Sequence, residues 1–587
     1  MTLYEFATPN LIESLLIKER IKCCKHNRRH TQKGGTPFQY ENYMNESTDD
    51  LVVRTGVDFL MPPRRSWIRR SKEFRSKIYN SNSLHNSEIA RIILANSLRS
   101  TIKRDRKILQ SQNNEAPKRL GYLNRLDNYI EKIRNLLKER KIKLHTPEIL
   151  YILKKKNDLE CEYRPLAIYN NLDDKIILSI TSKYLAQKIN DFLHDEILSY
   201  RPARVYHNKE ISTDFNTGIK SIGEYRKNHD NTSIYAADCD IQKFYDTINH
   251  DIVIKCFERI LNRMKEKEVI SDEGKSQIIC VLNAYLSSYD FYHNVFLKTL
   301  NGVPGKAKLL TQGVKSIVKW ISEKDMANCY GSKEKFINAR NNGKIGVPQG
   351  GSLSLLIANI VLNDVDINLL SKSDKELFLC RFCDDMVLLH PEYEKCEEYL
   401  NIYAKELTSH HLVYHNFTRI NELKSSEKTI QAFWDVKSHS SFLWGNGENG
   451  NNWIGFLGYE MKRNGAIRLR MSNVKKLESG IKRKYHILTR TFYKLCANYH
   501  GSTINEQEFN LFYNKLQAAI KSTEISELFK SYIALNNNCF IIHQKQRINY
   551  YRRLFFGKLM KKVIQKAYRN GFINEIMCQK LDSLMVL

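Results

Sequence analysis

The chain has 587 residues, too many for one hydrophobic core, so about three to five domains or subdomains are expected. Its 42% hydrophobic and 11% aromatic content, with 32 Tyr and 25 Phe, excludes a wholly disordered chain, and its net charge of +29 favours a polyanionic partner, nucleic acid first. No apolar run approaches the roughly 20 residues of a spanning helix and the N-terminus has no signal-like apolar core, so a soluble, cytoplasmic protein with no membrane partner is expected.

Residues 1 to 150 are strongly basic and broken by Asn, Ser and Gly. Lys18–Lys33 and Arg64–Lys77 are the densest runs, and the second sets Arg65, Arg69 and Arg70 among Trp67, Phe74 and nearby Tyr79. Cations that grip phosphates beside rings that stack on bases suit single-stranded nucleic acid; a solvated helical face is the plainer alternative. Helical periodicity over 89–109 and 123–142 predicts a mostly helical extension. Next come Arg164-Pro165-Leu166-Ala167-Ile168, Asp174-Lys175, a helix-like segment to Leu193, and Ser199-Tyr200-Arg201-Pro202. Arg164 and Lys175 could hold a triphosphate or a backbone phosphate, or simply be surface charges.

An apolar strand then runs from Ser233 into Asp238-Cys239-Asp240, with a helix start at Asp246 to His250. This places a carboxylate at the C-terminal end of a strand, where sites in α/β sheets gather. Asp238 and Asp240 share a strand face, so spacing leaves both as candidates. Tyr245 falls in the turn, where its ring could wall a pocket.

Residues 300 to 345 show little periodicity and read as an insertion or loop. They lead to Gly346-Val347-Pro348-Gln349-Gly350-Gly351-Ser352, whose Gly-Gly turn opens an apolar helix, lets backbone approach a ligand and sets Gln349 at the mouth. It lacks the lysine of a nucleotide-triphosphatase phosphate loop. Residues 379–389 read as a hairpin with Asp384-Asp385 at its turn. Two adjacent acids repel each other, and a divalent cation relieves the repulsion, although a lone Asp-Asp turn is more simply a solvated one. Lys428-Thr429 and a strand and turn over 453–459 follow, and helices are expected over 474–499, 507–520, 525–535 and 550–568.

The 13 cysteines are scattered and read as reduced thiols. Neither the Cys380–Cys383 pair nor the group His410, His411 and His415 has further ligands at zinc spacing, so no zinc is expected at either.

In this order the stretches resemble the reverse transcriptases, most closely the bacterial group II intron-type lineage, over about residues 160 to 470. Arg164 to Ile168 with Asp174-Lys175 is similar to an early fingers motif, and Ser199 to Pro202 to a shortened form of the next. Asp240 to Asp246 resembles the first catalytic motif, Gly346 to Leu362 the glycine-glutamine motif, and Phe382-Cys383-Asp384-Asp385 the catalytic hairpin. Lys428-Thr429 and Phe456-Leu457-Gly458-Tyr459 resemble the two that follow. Phe382 stands where Tyr is customary and Cys383 where Ala is common.

The resemblance implies an α+β right-hand polymerase: a basic N-terminal extension (1–150), fingers (151–235), a palm with fingers insertions (236–470, with 300–345 inserted) and a helical thumb and C-terminal region (471–587). It selects Asp240 over Asp238. Asp240, Asp384 and the Ile241 carbonyl are then expected to hold two Mg²⁺, or Mn²⁺ as a substitute, with Asp385 in support. Tyr245 is expected to exclude a 2′-hydroxyl and Gln349 and Gly350 to line the nucleotide pocket, with Arg164, Lys175 and Lys428 contacting phosphates. The expected activity is RNA-directed DNA synthesis from dNTPs, giving a DNA product from an RNA template. Stand-alone bacterial relatives often serve in antiviral defence, some with a partner noncoding RNA and some priming from a protein hydroxyl; a homo-oligomer is compatible with this. The competing expectation is an RNA-binding maturase or scaffold with a vestigial polymerase site.

Overall fold

The computed structural model describes residues 1–26, 56–63, 66–67, 84–111, 118–156, 160–193, 204–206, 209–211, 215–300, 315–420, 433, 435–447, 450–499, 502–528 and 539–585. These fall into two compact units, one drawn from 1–74, 90–218 and 231–443 and the other from 75–89, 219–230 and 444–587. Ser199 to Pro202, Lys428, Thr429 and most of the Arg64–Lys77 run lie outside the described residues.

The first unit opens with α1 (Leu3–Phe6), started by a Thr2/Glu5 capping box, and α2 (Pro9–His26). Helices α3 (Leu84–Ser111) and α4 (Gly121–Glu139) follow. In α4, Leu123, Leu126, Ile130, Ile133 and Leu137 recur at three- and four-residue intervals and are buried. They join Leu3, Ile12 and Leu16 in the same hydrophobic cluster as Ile357 and Leu388. The basic composition of this region thus covers an apolar stripe that shares the core of the unit.

Strands β1 (Glu148–Lys156) and β2 (Glu160–Ile168) pair antiparallel, and α5 (Leu172–Ile189) starts where the Asn171 side chain accepts from the N–H groups of Asp173 and Asp174. A short hairpin, β3 (Arg204–Tyr206) with β4 (Lys209–Ile211), precedes α6 (Phe215–Asn228), most of which, 219–228, belongs to the second unit. Then come β5 (Tyr235–Cys239), α7 (Phe244–Thr247), α8 (His250–Glu266) and α9 (Asp272–Ser287). The region expected to be an insertion or loop contains β6 (Lys315–Ile317), parallel to β2, and α10 (Glu323–Cys329) and α11 (Lys333–Asn341). Ser322 and Ser332 cap these helices, which span only 7 and 9 residues, too short to print a periodic pattern.

The rest of this unit is α12 (Ser354–Leu370), β7 (Phe378–Phe382), β8 (Asp385–His390), α13 (Tyr393–Ser409) and most of β9 (His439–Trp444). Four strands run in the order β9-β5-β8-β7, each antiparallel to its neighbour. Helix α13 packs on β5 and β8, and α12 packs on α13 and α8.

One fully buried ion pair joins these layers. The Arg381 guanidinium of β7 reaches Asp366 of α12 at 2.8 and 2.7 Å, with both side chains at 0% exposure. Its remaining arm donates to the Cys383 carbonyl at 2.9 Å, in the turn between β7 and β8.

The second unit holds β10 (Gly450–Asn451) and a three-stranded antiparallel sheet of β11 (Trp453–Phe456), β12 (Tyr459–Lys462) and β13 (Ile467–Leu469). The β11–β12 turn has φ 52° at Leu457 and 81° at Gly458, the backbone of a type I′ hairpin. Long helices follow, α14 (Met471–Ala497) and α15 (Glu506–Lys521), then helical turns over 525–528, 539–552, 553–560, 561–569 and 575–584. These agree with the periodicity read over 474–499, 507–520 and 550–568, while 529–535 of the helix expected over 525–535 lie outside the described residues. No helix among the described residues is long and apolar enough to cross a membrane.

Removing one partner of a buried ion pair strands the other charge, whereas replacing both with apolar residues can be neutral. Arg381→Met or Asp366→Ala is therefore expected to lower unfolding free energy by about 3–5 kcal/mol in urea titrations, with the double variant Arg381→Met/Asp366→Leu recovering most of it. Single variants within about 0.5 kcal/mol of the parent would show that the pair does not hold the sheet to α12.

Candidate active site

Strand β5 ends in two acids with different fates. The Asp238 carboxylate accepts from the His439 backbone N–H at 3.0 Å and lies 2.8 and 2.9 Å from its Nδ1, while His439 Nε2 faces the Phe433 carbonyl at 2.9 Å. Both ring nitrogens meet acceptors, so Asp238 is committed to a structural pair with β9. Asp240 instead leaves the strand. Its backbone N–H donates to Ser438 Oγ at 2.9 Å and its carbonyl accepts from the His415 N–H at 3.0 Å. The Lys437 ammonium sits 3.0 Å from its Oδ2. Spacing could not separate the two acids; their hydrogen bonds do.

Ile241 lies opposite Tyr414, flanked by the bonds His415 N–H to Asp240 O and Gln242 N–H to Val413 O, the latter at 2.7 Å. In such a pair the residue between the bonds directs its own carbonyl away from the partner segment.

The β7–β8 hairpin is tighter than expected. Phe382 pairs directly with Asp385, so the turn residues are Cys383 and Asp384, and Asp385 begins β8. Cys383 adopts φ 57°, a left-handed conformation unfavourable for most side chains. The Arg381 bond to its carbonyl supports that turn. Asp384 is half-buried and Asp385 exposed. Burial raises the Asp384 carboxyl above its ordinary range and the charge of Asp240 adds to the effect, while Arg164 and Lys437 oppose it. The fold thus brings Asp240 and Asp384 into one electrostatic neighbourhood, with Asp385 on its rim.

The Gly346–Ser352 loop is stitched to both flanks by backbone. Val347 N–H donates to Tyr245 O and Gly346 N–H to Ile248 O, each at 2.8 Å, and Ala167 N–H of β2 donates to Gln349 O at 2.9 Å. Gly346 has φ 95°, and a Cβ there would come within 2.6 Å of Phe291 Cβ; at Gly351 a Cβ would collide with the Tyr285 hydroxyl. Gln349 is half-buried and Gly350 exposed. Tyr245, half-buried, packs edge-on against Phe244 with centroids 5.3 Å apart. These bonds bring Tyr245, Gln349 and Gly350 into one wall beside β2.

Arg164 is exposed on β2 and acts on both Asp384 and Asp246. Lys175 lies half-buried in the first turn of α5. Lys243 and Lys154 flank Glu162 at 3.0 and 3.1 Å. Asp246 is 6% exposed, and burial raises its pKa to about 7 against the pull of Lys243, Arg164 and Lys154. The sequence shows Asp246 as a helix start and the end of the first catalytic motif, but Arg164 and Lys154, which act on it, and Asp240, which Lys437 meets, are remote in sequence from their partners.

Asp240, Asp384 and the Ile241 carbonyl are hard oxygen donors suited to Mg²⁺. The like-charge effect of Asp240 on Asp384 and the Lys437 ammonium on Asp240 both mark a place where positive charge is favoured, so the residues fit the ion.

Residues 289–460 match the family model described as reverse transcriptase (RNA-dependent DNA polymerase). The chain therefore carries a reverse transcriptase domain, and its fold is α+β of the right-hand polymerase class. The match holds the glycine-glutamine loop and the hairpin and begins after Asp240. No curated protein matches the chain. Similar solved structures include telomerase from Candida albicans with a fragment of telomeric RNA, at TM-score 0.31 and 13% identity over 90% of this chain and 84% of that one. Apo telomerase from Candida tropicalis gives 0.30 and 11% over 99% and 97%, and its complex with a telomeric RNA fragment 0.34 and 13% over 86% and 75%. Scores at this level carry no statement about this chain's partners.

Because the Asp246 pKa is raised from 3.8 to about 7, folding favours its protonated form; the stability this gives is complete below the unfolded value and is lost as pH rises through about 7. Asp246→Asn should therefore gain thermal stability relative to the parent at pH 8 compared with pH 5. An equal difference in melting temperature at the two pH values would contradict the assignment.

Proposed function

We propose that this protein is an RNA-directed DNA polymerase that adds dNTPs to a primer 3′-hydroxyl. The observation that carries the reading is the convergence of Asp240, at the end of β5, and Asp384, in the β7–β8 turn, on one site flanked by Lys437 and Arg164. Asp240, Asp384 and the Ile241 carbonyl would hold two Mg²⁺, with Mn²⁺ as substitute and Asp385 in support. When bound, the ions would lower the pKa of the attacking hydroxyl and offset charge on the departing pyrophosphate.

The protein's own groups do the rest. Lys437 lies on Asp240 where a cation is needed and must yield that oxygen as the site fills. Arg164, which acts on Asp384, and Lys175 would take triphosphate charge, and Lys428 is a further phosphate contact in this reading. Tyr245, fixed through its carbonyl to Val347, would set its ring against a 2′-hydroxyl and favour deoxynucleotides. Gln349 and the Gly350-Gly351 backbone would seat the nucleotide and template, and the tie from Gln349 to Ala167 keeps that wall in register with Arg164. The net charge of +29 would hold the RNA template and its DNA copy by salt-dependent contacts. A bacterial group II intron-like ancestry, a dedicated noncoding RNA as template and a role in antiviral defence complete the reading. Sequencing the nucleic acid that copurifies tests that part.

Primer extension on an RNA template with dNTPs and Mg²⁺ tests the chemistry. The parent should incorporate dNTPs, and Asp240→Ala or Asp384→Ala should reduce incorporation to background; incorporation retained by either variant would overturn the assignment. Tyr245→Ala should raise ribonucleotide use relative to deoxynucleotide use by about tenfold or more. A parent that binds RNA tightly without extending any primer would instead be the maturase or scaffold.

A further inference from the structure

Three histidines, His410, His411 and His415, fall close together in sequence without ligand-spaced partners, and the fold sends them to different places. His411 stacks on Tyr330 with centroids 4.2 Å apart and sets its Nδ1 2.9 Å from the Cys329 carbonyl. His415 lies beside Asp240. His410, which caps α13, points between α8 and α12, where it meets two residues that no local spacing could reveal.

These are Cys256 of α8 and Asp364 of α12. Cys256 Sγ and His410 Nε2 each lie 3.5 Å from Asp364 Oδ2, and the three potential ligand atoms all lie within 4.8 Å of one another. Cys256 is 3% and His410 6% exposed, and Asp364 keeps a partial opening to solvent. A tetrahedral zinc ion with Zn–S near 2.3 Å and Zn–N and Zn–O near 2.0 Å places its ligands about 3.3–3.5 Å apart, so two edges of the triangle already have this length.

The hydrogen bonds of His410 add an independent indication. Its Nδ1 is 2.8 Å from the Glu406 carbonyl and 3.1 Å from Ser409 Oγ, and Ser409 has already given its own proton to Glu406 O at 2.8 Å. Both neighbours of Nδ1 therefore accept, and Nδ1 must carry the hydrogen. In the neutral ring Nε2 is then a lone pair aimed at the carboxylate oxygen Asp364 Oδ2. Acceptor facing acceptor in a largely buried place calls for a cation between them, or for a second proton on the ring. A backbone carbonyl fixing one ring nitrogen while the other faces outward is also how metal-binding imidazoles are held. Arg259 pairs with the same oxygen, Asp364 Oδ2, and would have to pass to the other carboxylate oxygen as the ion takes its place.

We propose that Cys256, Asp364 and His410 form a zinc site, distinct from the Mg²⁺ site at Asp240 and Asp384, that clamps α8, α12 and α13 together. A thiolate and an imidazole select zinc over magnesium, and the solvent-facing side of Asp364 leaves room for a water as fourth ligand. On binding, the Cys256 proton is released to solvent and the thiolate and imidazole lone pairs bond to the ion; no oxidation state changes.

The test is metal analysis of the full-length protein purified without chelator, followed by Co²⁺ substitution. About one zinc per chain is expected, and Co²⁺ should give a thiolate-to-cobalt charge-transfer band that Cys256→Ser abolishes and His410→Gln shifts or abolishes. Asp240→Ala should leave both readings unchanged. Should Cys256→Ser fail to fold, the parent's own Co²⁺ titration, with zinc competing the band away, decides the matter. A chain that purifies without zinc and shows no charge-transfer band with Co²⁺ would overturn the proposal, leaving a hydrogen-bonded trio.

Discussion

The Arg381–Asp366 pair is buried completely, and Arg381 spends its third contact on a turn carbonyl. Burying two charges is costly, and an apolar pair of similar volume would hold β7 to α12 at least as well. What an apolar pair would not supply is a donor to the Cys383 carbonyl. That bond supports a left-handed residue in a two-residue turn, and the turn sets the direction in which Asp384 leaves the sheet. The cost of the ion pair is thus attached to the placement of one carboxylate. Asp366 extends the same constraint into α12, the helix that the glycine-glutamine loop opens.

Backbone hydrogen bonds perform the corresponding task on the other side of the site. Main-chain groups of Tyr245, Ile248 and Ala167 bond to the loop at Val347, Gly346 and Gln349, so the wall is specified by the path of the chain and leaves the side chains of Tyr245 and Gln349 available to a ligand. The glycines are required by this closeness: Gly346 lies against Phe291 and Gly351 against Tyr285. At the end of β5, Asp238 and Asp240 are divided by β9 and the segment before it. His439 occupies the first acid, and the Ser438 hydroxyl and Lys437 turn to the second.

Much of this was legible in the sequence because it is local. The hairpin, the Gly-Gly helix start, the strand into Asp240 and the helices after residue 472 each announce themselves within one window of period or turn chemistry. The order of the motifs then implied the palm. Other features depend on contacts between distant windows. Arg381 has its partners in α12 and across the turn, so nothing in its own strand shows the pair. Lys437 reaches Asp240 through a segment with no periodic signal. The period over 123–142 shows α4, whereas the buried residues of α2 lie under a basic run, and α10 and α11 are too short to register. His410 was set aside for want of neighbours that only the packing of α8 against α12 provides.

A divalent cation shared by Asp240 and Asp384 would depend on Arg381 to keep Asp384 in place. Mn²⁺ binding followed by electron paramagnetic resonance tests this most directly, with the parent compared with Asp240→Asn, Asp384→Asn and Arg381→Met. The parent should take up Mn²⁺ in the presence of a dNTP, both Asn variants should lose that binding, and Arg381→Met should weaken it while remaining folded by circular dichroism. Unchanged Mn²⁺ binding in Asp240→Asn and Asp384→Asn would contradict the shared site, and unchanged binding in Arg381→Met would contradict the role of the buried pair.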